Sequence, residues 1–387
     1  MNHGSPSVTN SDGYLKSAIL LWIATMGFIC SGLIFRFSHR SVTPDYHAAV
    51  DRWVAGQTVF GGFHYFPQFI FMFLPFHVLP APWGDVAWCL LSSGLLAWGL
   101  WRLLSLVDSQ RTSQLFFFGT LIVLVPSFDA LRNGQANVIF AAFTIHAAYS
   151  LAQTQWTAAT TWLLLALVAK PIGLVMILLA VLVHRDLIWR VAIGLVLFLV
   201  FPFVFGRAGY VWSQYVASIR HLRELSVITE NRFADLNGLL RKLGLGLTGS
   251  VSQAVRVAAG LMTAVAWRLG ARRLGQPERA CFLLALATTY LMLFNPMTEE
   301  NSYVIVLPVM TYYALRLLLV EGRPFLGWVL ILGGLSIGIL PEPLRKVIPD
   351  FGLWWRPIIM LIFSGILMGR VFSRESGFVR VGEAARE

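Results

Sequence analysis

The sequence predicts an all-α polytopic membrane protein, on three observations. Apolar runs of about 20 residues, the length that spans a bilayer, recur along the whole chain. Hydrophobic residues make up 57% and charged residues only 13%, about half the charged share of a soluble domain. The runs are continuous rather than alternating, so they read as helices and not as barrel strands.

The elements follow in order. Residues 1–14 are polar and rich in Ser, Asn and Gly, and are read as a disordered N-terminal tail. Leu15 to Phe35 is too long for the core of a cleaved signal and is taken as the first span, retained in the mature chain. Eleven further spans are expected near 83–105, 114–129, 135–152, 157–169, 171–184, 190–206, 249–269, 279–294, 302–320, 325–340 and 353–371, about twelve in all. The segment "HYFPQFIFMFLPFHVLP" (64–80) is short and interrupted by Pro75, so it reads as a re-entrant or interfacial helix. Residues 15–371 thus form one transmembrane unit, and 372–387 a cytoplasmic C-terminal tail rich in arginine.

With the N-terminus inside and 64–80 not crossing, short inner loops carry Arg102, Arg111, Arg185, Arg190, Arg268, Arg272, Arg273 and Arg279. Three polar stretches then fall outside: 36–65, 207–248 and "NPMTEENSY" (295–303). No soluble stretch is long enough for its own core, so function belongs at the outer face of the membrane. The net charge of +11 lies in loops, without the interleaved aromatics of a nucleic-acid surface, and suits orientation and anionic lipid. No nucleic-acid partner is expected. Cys30, Cys89 and Cys281 all sit in apolar runs, and no CxxC pair, HExxH or P-loop occurs. Neither a metal nor a cofactor is expected, and the missing Asp-x-Asp pair speaks against a cytosolic nucleotide-sugar donor.

Within "TPDYHAAVDRWVAGQTVF" (43–60), Tyr46, Ala49, Val50, Trp53 and Val54 recur at helical spacing, with Thr43 able to cap and Pro44 suited to the first turn. Asp45 then lies at the positive end of a helix dipole. It reads equally as a general base and as a residue that only starts an interfacial helix. In "DALRNGQANVIF" (129–140), Asp129, Arg132, Asn133, Gln135 and Asn137 crowd the start of a span, where polar groups are costly unless paired or functional. Lys170, before Pro171, either snorkels to the interface or meets an anion. His221 and Arg232 belong to a loop whose cations can hold a lipid phosphate, or simply be solvated. Glu299, Glu300 and Asn301 suit sugar hydroxyls, and equally suit pairing with arginines.

In order, "DYHAAVDRWVAGQTVF", "YFPQFIFMFLPFHVLP", "RNGQANVIF", "AKPIGLVMILLAVLVHRD" and "NRFADLNGLLRKL" resemble glycosyltransferase family 87, which includes bacterial polyprenol-phosphate-mannose-dependent α-mannosyltransferases. The likeness covers most of residues 15–310. It implies a C-type glycosyltransferase fold with interfacial helices in the first outer loop, and a plasma (inner) membrane protein acting on the extracytoplasmic side. It also implies a polyprenyl-phosphate sugar donor, a lipid or glycan acceptor, and Asp45 in the place of the general base. The Gly-Gln-x-Asn and Lys-Pro motifs match Gly134, Gln135, Asn137, Lys170 and Pro171. "NPMTEENSY" departs from the family by lacking the Trp and His common there, so contacts of that histidine are not carried over. A transporter or flippase of a lipid-linked glycan is the alternative reading.

Overall fold

A computed structural model describes residues 9–35, 41–226 and 233–372. Among the described residues there is no strand. The first helix, α1 (Thr9–Ile34), begins six residues before the expected start of the first span, so part of the expected 1–14 tail is helical. Residues 1–8 of that tail, residues 373–387 of the C-terminal tail, and Arg232 lie outside the described residues.

Two short helices follow, α2 (Thr43–Val54) and α3 (Gln68–His77). At ten residues α3 rises about 15 Å, half a bilayer core. Then come α4 (Trp83–Ser105), α5 (Thr112–Arg132), α6 (Ala136–Ala152), α7 (Trp156–Ala169), α8 (Gly173–Val183) and α9 (Ile188–Val200). The polar stretch 207–248 is itself largely helical, as α10 (Ala208–Ser226) and α11 (Leu236–Lys242). The chain continues through α12 (Gly249–Arg273), α13 (Glu278–Phe294), α14 (Leu307–Leu319), α15 (Pro324–Ile339), α16 (Pro341–Leu344) and α17 (Phe351–Phe372).

A helix lies over each of the twelve expected spans. By length and composition, five helical segments among the described residues can cross a membrane: Asp12–Ile34, Trp83–Ser105, Thr112–Arg132, Arg185–Val204 and Phe351–Phe372. The other apolar helices are shorter. A helix that is apolar all round belongs inside a bundle. α6, α13 and α14 are of that kind, with nearly every residue buried. They form the core, with α4 and α7 packed against α6. The outer helices α1 and α9 instead present Leu20, Ile23, Phe28, Val196 and Leu197 outward, as a lipid-facing surface does.

The ends of α13 and α14 differ in character. At one end Glu278, Arg316, Glu321 and Arg370 form a buried ring of ion pairs that ties α17 to α13 and α14. At the other, the chain passes from Phe294 through the 3-10 turn Glu300–Ile305, and here the polar segments gather.

Candidate functional site

The amphipathic pattern of α2 buries Thr43, Tyr46, Ala49, Val50 and Trp53. Val54, expected on the same face, is 78% exposed, although Trp53 beside it is buried. Thr43 does not cap. The helix starts at Thr43 itself, and its hydroxyl meets Ser41 Oγ at 2.8 Å. The Val42 N–H donates to the Asn133 carbonyl over 3.0 Å, which docks α2 onto the turn between α5 and α6. Tyr46 reinforces this contact. Its hydroxyl accepts the Ala136 N–H at 3.1 Å and lies 3.0 Å from the Tyr65 hydroxyl. Burial holds the Tyr46 phenol well above its ordinary pKa and pushes Tyr65 up to about 12, so both stay neutral.

Asp45, one residue before Tyr46, is thereby held at the edge of this junction. Its carboxylate rests against Gly62, where a Cβ would come within 3.2 Å of Asp45 Oδ1. Gly62 has φ +97°, which only glycine adopts readily. Gly134 serves a similar purpose across the junction. With φ +62° it turns the chain, and a Cβ there would lie 2.9 Å from Thr43 Cγ2.

Beyond that turn, Gln135 and Asn137 occupy the start of α6, and Asn137 Nδ2 donates to Gln135 Oε1 at 2.7 Å. Lys170 reaches the same place for a local reason. The residue before proline is driven out of helical geometry. Lys170 accordingly takes φ −153° and ψ 138°, ends α7, and donates its ammonium to Asn137 Oδ1 over 2.6 Å. Burial pushes its pKa down to about 8, with Glu299 opposing the fall.

These side chains enclose a cavity of about 310 Å³. Asp45, Gln135, Asn137, Lys170 and Glu299 line it, joined by His64, Tyr65, Asn295 and Ser302. Among its described lining residues, Lys170 is the sole lysine or arginine. Arg132, Glu300 and Asn301 line a second cavity of about 500 Å³ instead. There Arg132 pairs with Asp129 at 2.7 Å, and Glu300 with Arg356 at 3.0 Å. His221 lines neither, but stacks on His64 with its Nε2 2.8 Å from His64 Nδ1. Glu299 belongs to both cavities. Among the described residues, no group of three or more His, Cys, Asp or Glu side chains could hold a metal ion.

A family model described as Glycosyltransferase family 87 matches residues 63–296, more than half of the chain. The chain belongs to glycosyltransferase family 87. It is a membrane glycosyltransferase, and no curated protein matches it. The matched stretch of the glycosyltransferase holds Gln135, Asn137 and Lys170, while Asp45 precedes it and Glu299 follows it. Five residues lining the cavity were not singled out by sequence: Gly62, His64, Tyr65, Asn295 and Ser302. The first three lie in the loop before α3, where the only signal was a polar start to an apolar run.

Proposed function

We propose that this glycosyltransferase moves a hexose, with mannose the favoured sugar, from a polyprenyl phosphate to a hydroxyl of a glycolipid or glycan. The single observation that carries the reading is that Asp45 and Lys170, brought in by separate elements, line one cavity. An attacking hydroxyl and a departing phosphate need a base and a cation in one enclosed space, and its volume lies in the roughly 300–1,000 Å³ range of small-molecule sites.

Asp45 accepts the proton of the acceptor hydroxyl as that oxygen bonds to the anomeric carbon. The bond from that carbon to the phosphate oxygen breaks on the opposite face, and the configuration inverts. Negative charge then gathers on the leaving phosphate. The Lys170 ammonium and the positive end of α6 supply a fixed field for it. Gln135, Asn137 and Glu299 are suited to the sugar hydroxyls. His221 reaches the donor phosphate only through His64, while the Asp129 carboxylate already engages Arg132.

An apolar groove of about 440 Å³ between α3, α7 and α9 supports a lipid-linked donor. Its wall residue Val168 stands two residues before Lys170, and Gln68 three after Tyr65, so a prenyl chain lying there delivers its phosphate to the cavity. The same reading takes the twelve helices as spans of a C-type fold. It puts the cavity on the extracytoplasmic side of the plasma membrane.

Purified protein incubated with a panel of polyprenyl-phosphate sugars and nucleotide sugars tests this, with products read by mass spectrometry and anomeric NMR. Hexose transfer with inversion from the lipid phosphate alone is the expected result. Transfer only from nucleotide sugars, or retention, overturns it.

A further inference from the structure

We propose that the second cavity binds the glycan of the acceptor, and that it selects an uncharged sugar. This rests on the transferase reading above and names the acceptor class of the same site.

Two short segments form the wall between the cavities. Asn133 lines the second cavity and Gln135 the first, with Gly134 turning the chain between them. Opposite, Glu300 lines the second, Ser302 the first and Glu299 both. The cavities therefore meet at Glu299. A chain of sugars whose terminal hydroxyl lies near Asp45 continues past Glu299 into the larger space.

The chemistry of that space selects its occupant. Asp129 pairs with Arg132, Glu342 with Arg345, Glu300 with Arg356 and Asp350 with Lys242. Glu299 is the one carboxylate of the described lining outside these pairs. With Arg356 and Lys242, which pair with the lining from outside it, the cations offset every carboxylate but Glu299, so the surface offers both donors and acceptors with a small negative charge. A sugar hydroxyl both donates and accepts, so it matches such a surface at every position. A carboxylated sugar meets Glu299 and the free lone pairs of four more carboxylates. An amino sugar must compete with cations already in place. Asn133 gives an independent sign of a ligand. It is 8% exposed, lines this cavity, and its Oδ1 has no hydrogen-bond partner among the described residues. A buried acceptor left unmatched is costly, and a ligand hydroxyl is the complement it lacks.

The test uses the full-length protein in lipid nanodiscs, titrated calorimetrically with mannotriose, trigalacturonic acid and the glucosamine trimer. Mannotriose is expected to bind at least about tenfold more tightly than either charged trimer. Arg345→Ala and Asn133→Ala should each weaken mannotriose by about tenfold, the worth of one hydrogen bond. Arg345 is exposed, so its variant reads binding even where the Asn133 variant fails to fold. Tighter binding of a charged trimer, no binding of any trimer, or an unchanged affinity in Arg345→Ala overturns the proposal. Hydrolysis of a polyprenyl-phosphate sugar without acceptor is measured alongside. Hydrolysis without trimer binding sinks the acceptor proposal alone. Trimer binding without hydrolysis or transfer sinks the donor reading and leaves the acceptor cavity standing.

Discussion

The Lys170 ammonium donates to Asn137 Oδ1 over 2.6 Å, so the cation of the candidate active site rests on a neutral partner. Burial, not a carboxylate at bonding distance, dominates its titration and pushes its pKa down from 10.5 to about 8. Lys170 is charged below that value and neutral above it. With the ammonium needed by the leaving phosphate, kcat/KM falls as pH rises through about 8. Lys170→Arg keeps its charge and should move this limb to higher pH. A profile flat over about pH 7–10 in the unaltered protein, where an ordinary lysine still holds its charge, refutes the lowered pKa of Lys170.

Asp45→Asn keeps the shape of the side chain but cannot take a proton. Transfer should slow by about 100- to 10,000-fold, while thermal stability and donor binding are retained. Asp51→Asn removes an exposed carboxylate that faces His77, and should be mild by comparison. Single-turnover assays of the two variants decide the matter: near-normal turnover in Asp45→Asn means that the base lies elsewhere. An equal lack of effect in Glu299→Gln then favours a transport role.

Gly62 and Gly56 separate strain from crowding. Both have positive φ, +97° and +69°. A Cβ at Gly62 meets Asp45 Oδ1, whereas one at Gly56 meets nothing within 4 Å. Alanine at either position should cost about 1–3 kcal/mol of stability. Only Gly62→Ala should also lower kcat, by displacing the carboxylate. Melting curves and initial rates measured together test this, and equal rate losses in both variants count against the placement of Asp45.

The ring of Glu278, Arg316, Glu321 and Arg370 lies at the opposite ends of α13 and α14 from the cavity. Arg370 is 8% exposed, and removing it leaves Glu278 and Glu321 to share Arg316 alone. Arg370→Met should destabilise by about 3–5 kcal/mol with little change in the kcat of the folded fraction. Denaturation in detergent measures the first and active-site-normalised rates the second. A stable Arg370→Met shows that the ring contributes little.

The proposed extracytoplasmic position of the cavities can be tested by labelling. In a cysteine-free background, single cysteines at 51 and 342 should react with an impermeant thiol reagent from outside intact cells, and one at 273 should not. Asp51 belongs to the helix of Asp45 and Glu342 to the second cavity, whereas Arg273 ends α12 beside α17. Labelling at 273 alone reverses the orientation.

Much of this protein was legible in its sequence because the deciding physics is local. Apolar run length determined a helical membrane chain, since the thickness of a bilayer sets that length directly. The Lys-Pro pair determined that Lys170 leaves its helix, because the constraint acts between neighbouring residues. Gln135, Asn137 and Lys170 stood out as polar groups among apolar ones, where desolvation is costly. Tertiary structure alone decided which of these groups share a space. Gln135 and Arg132 are three residues apart, yet they line different cavities because Gly134 turns the chain against Thr43. Glu299 and Glu300 are adjacent, yet Arg356, 56 residues on, engages only Glu300. Thr43, well suited to capping, was drawn instead to Ser41 as Val42 bonded to Asn133, 91 positions away. Residue type and spacing record what a side chain can do, but its partner is set by packing between segments far apart in the chain.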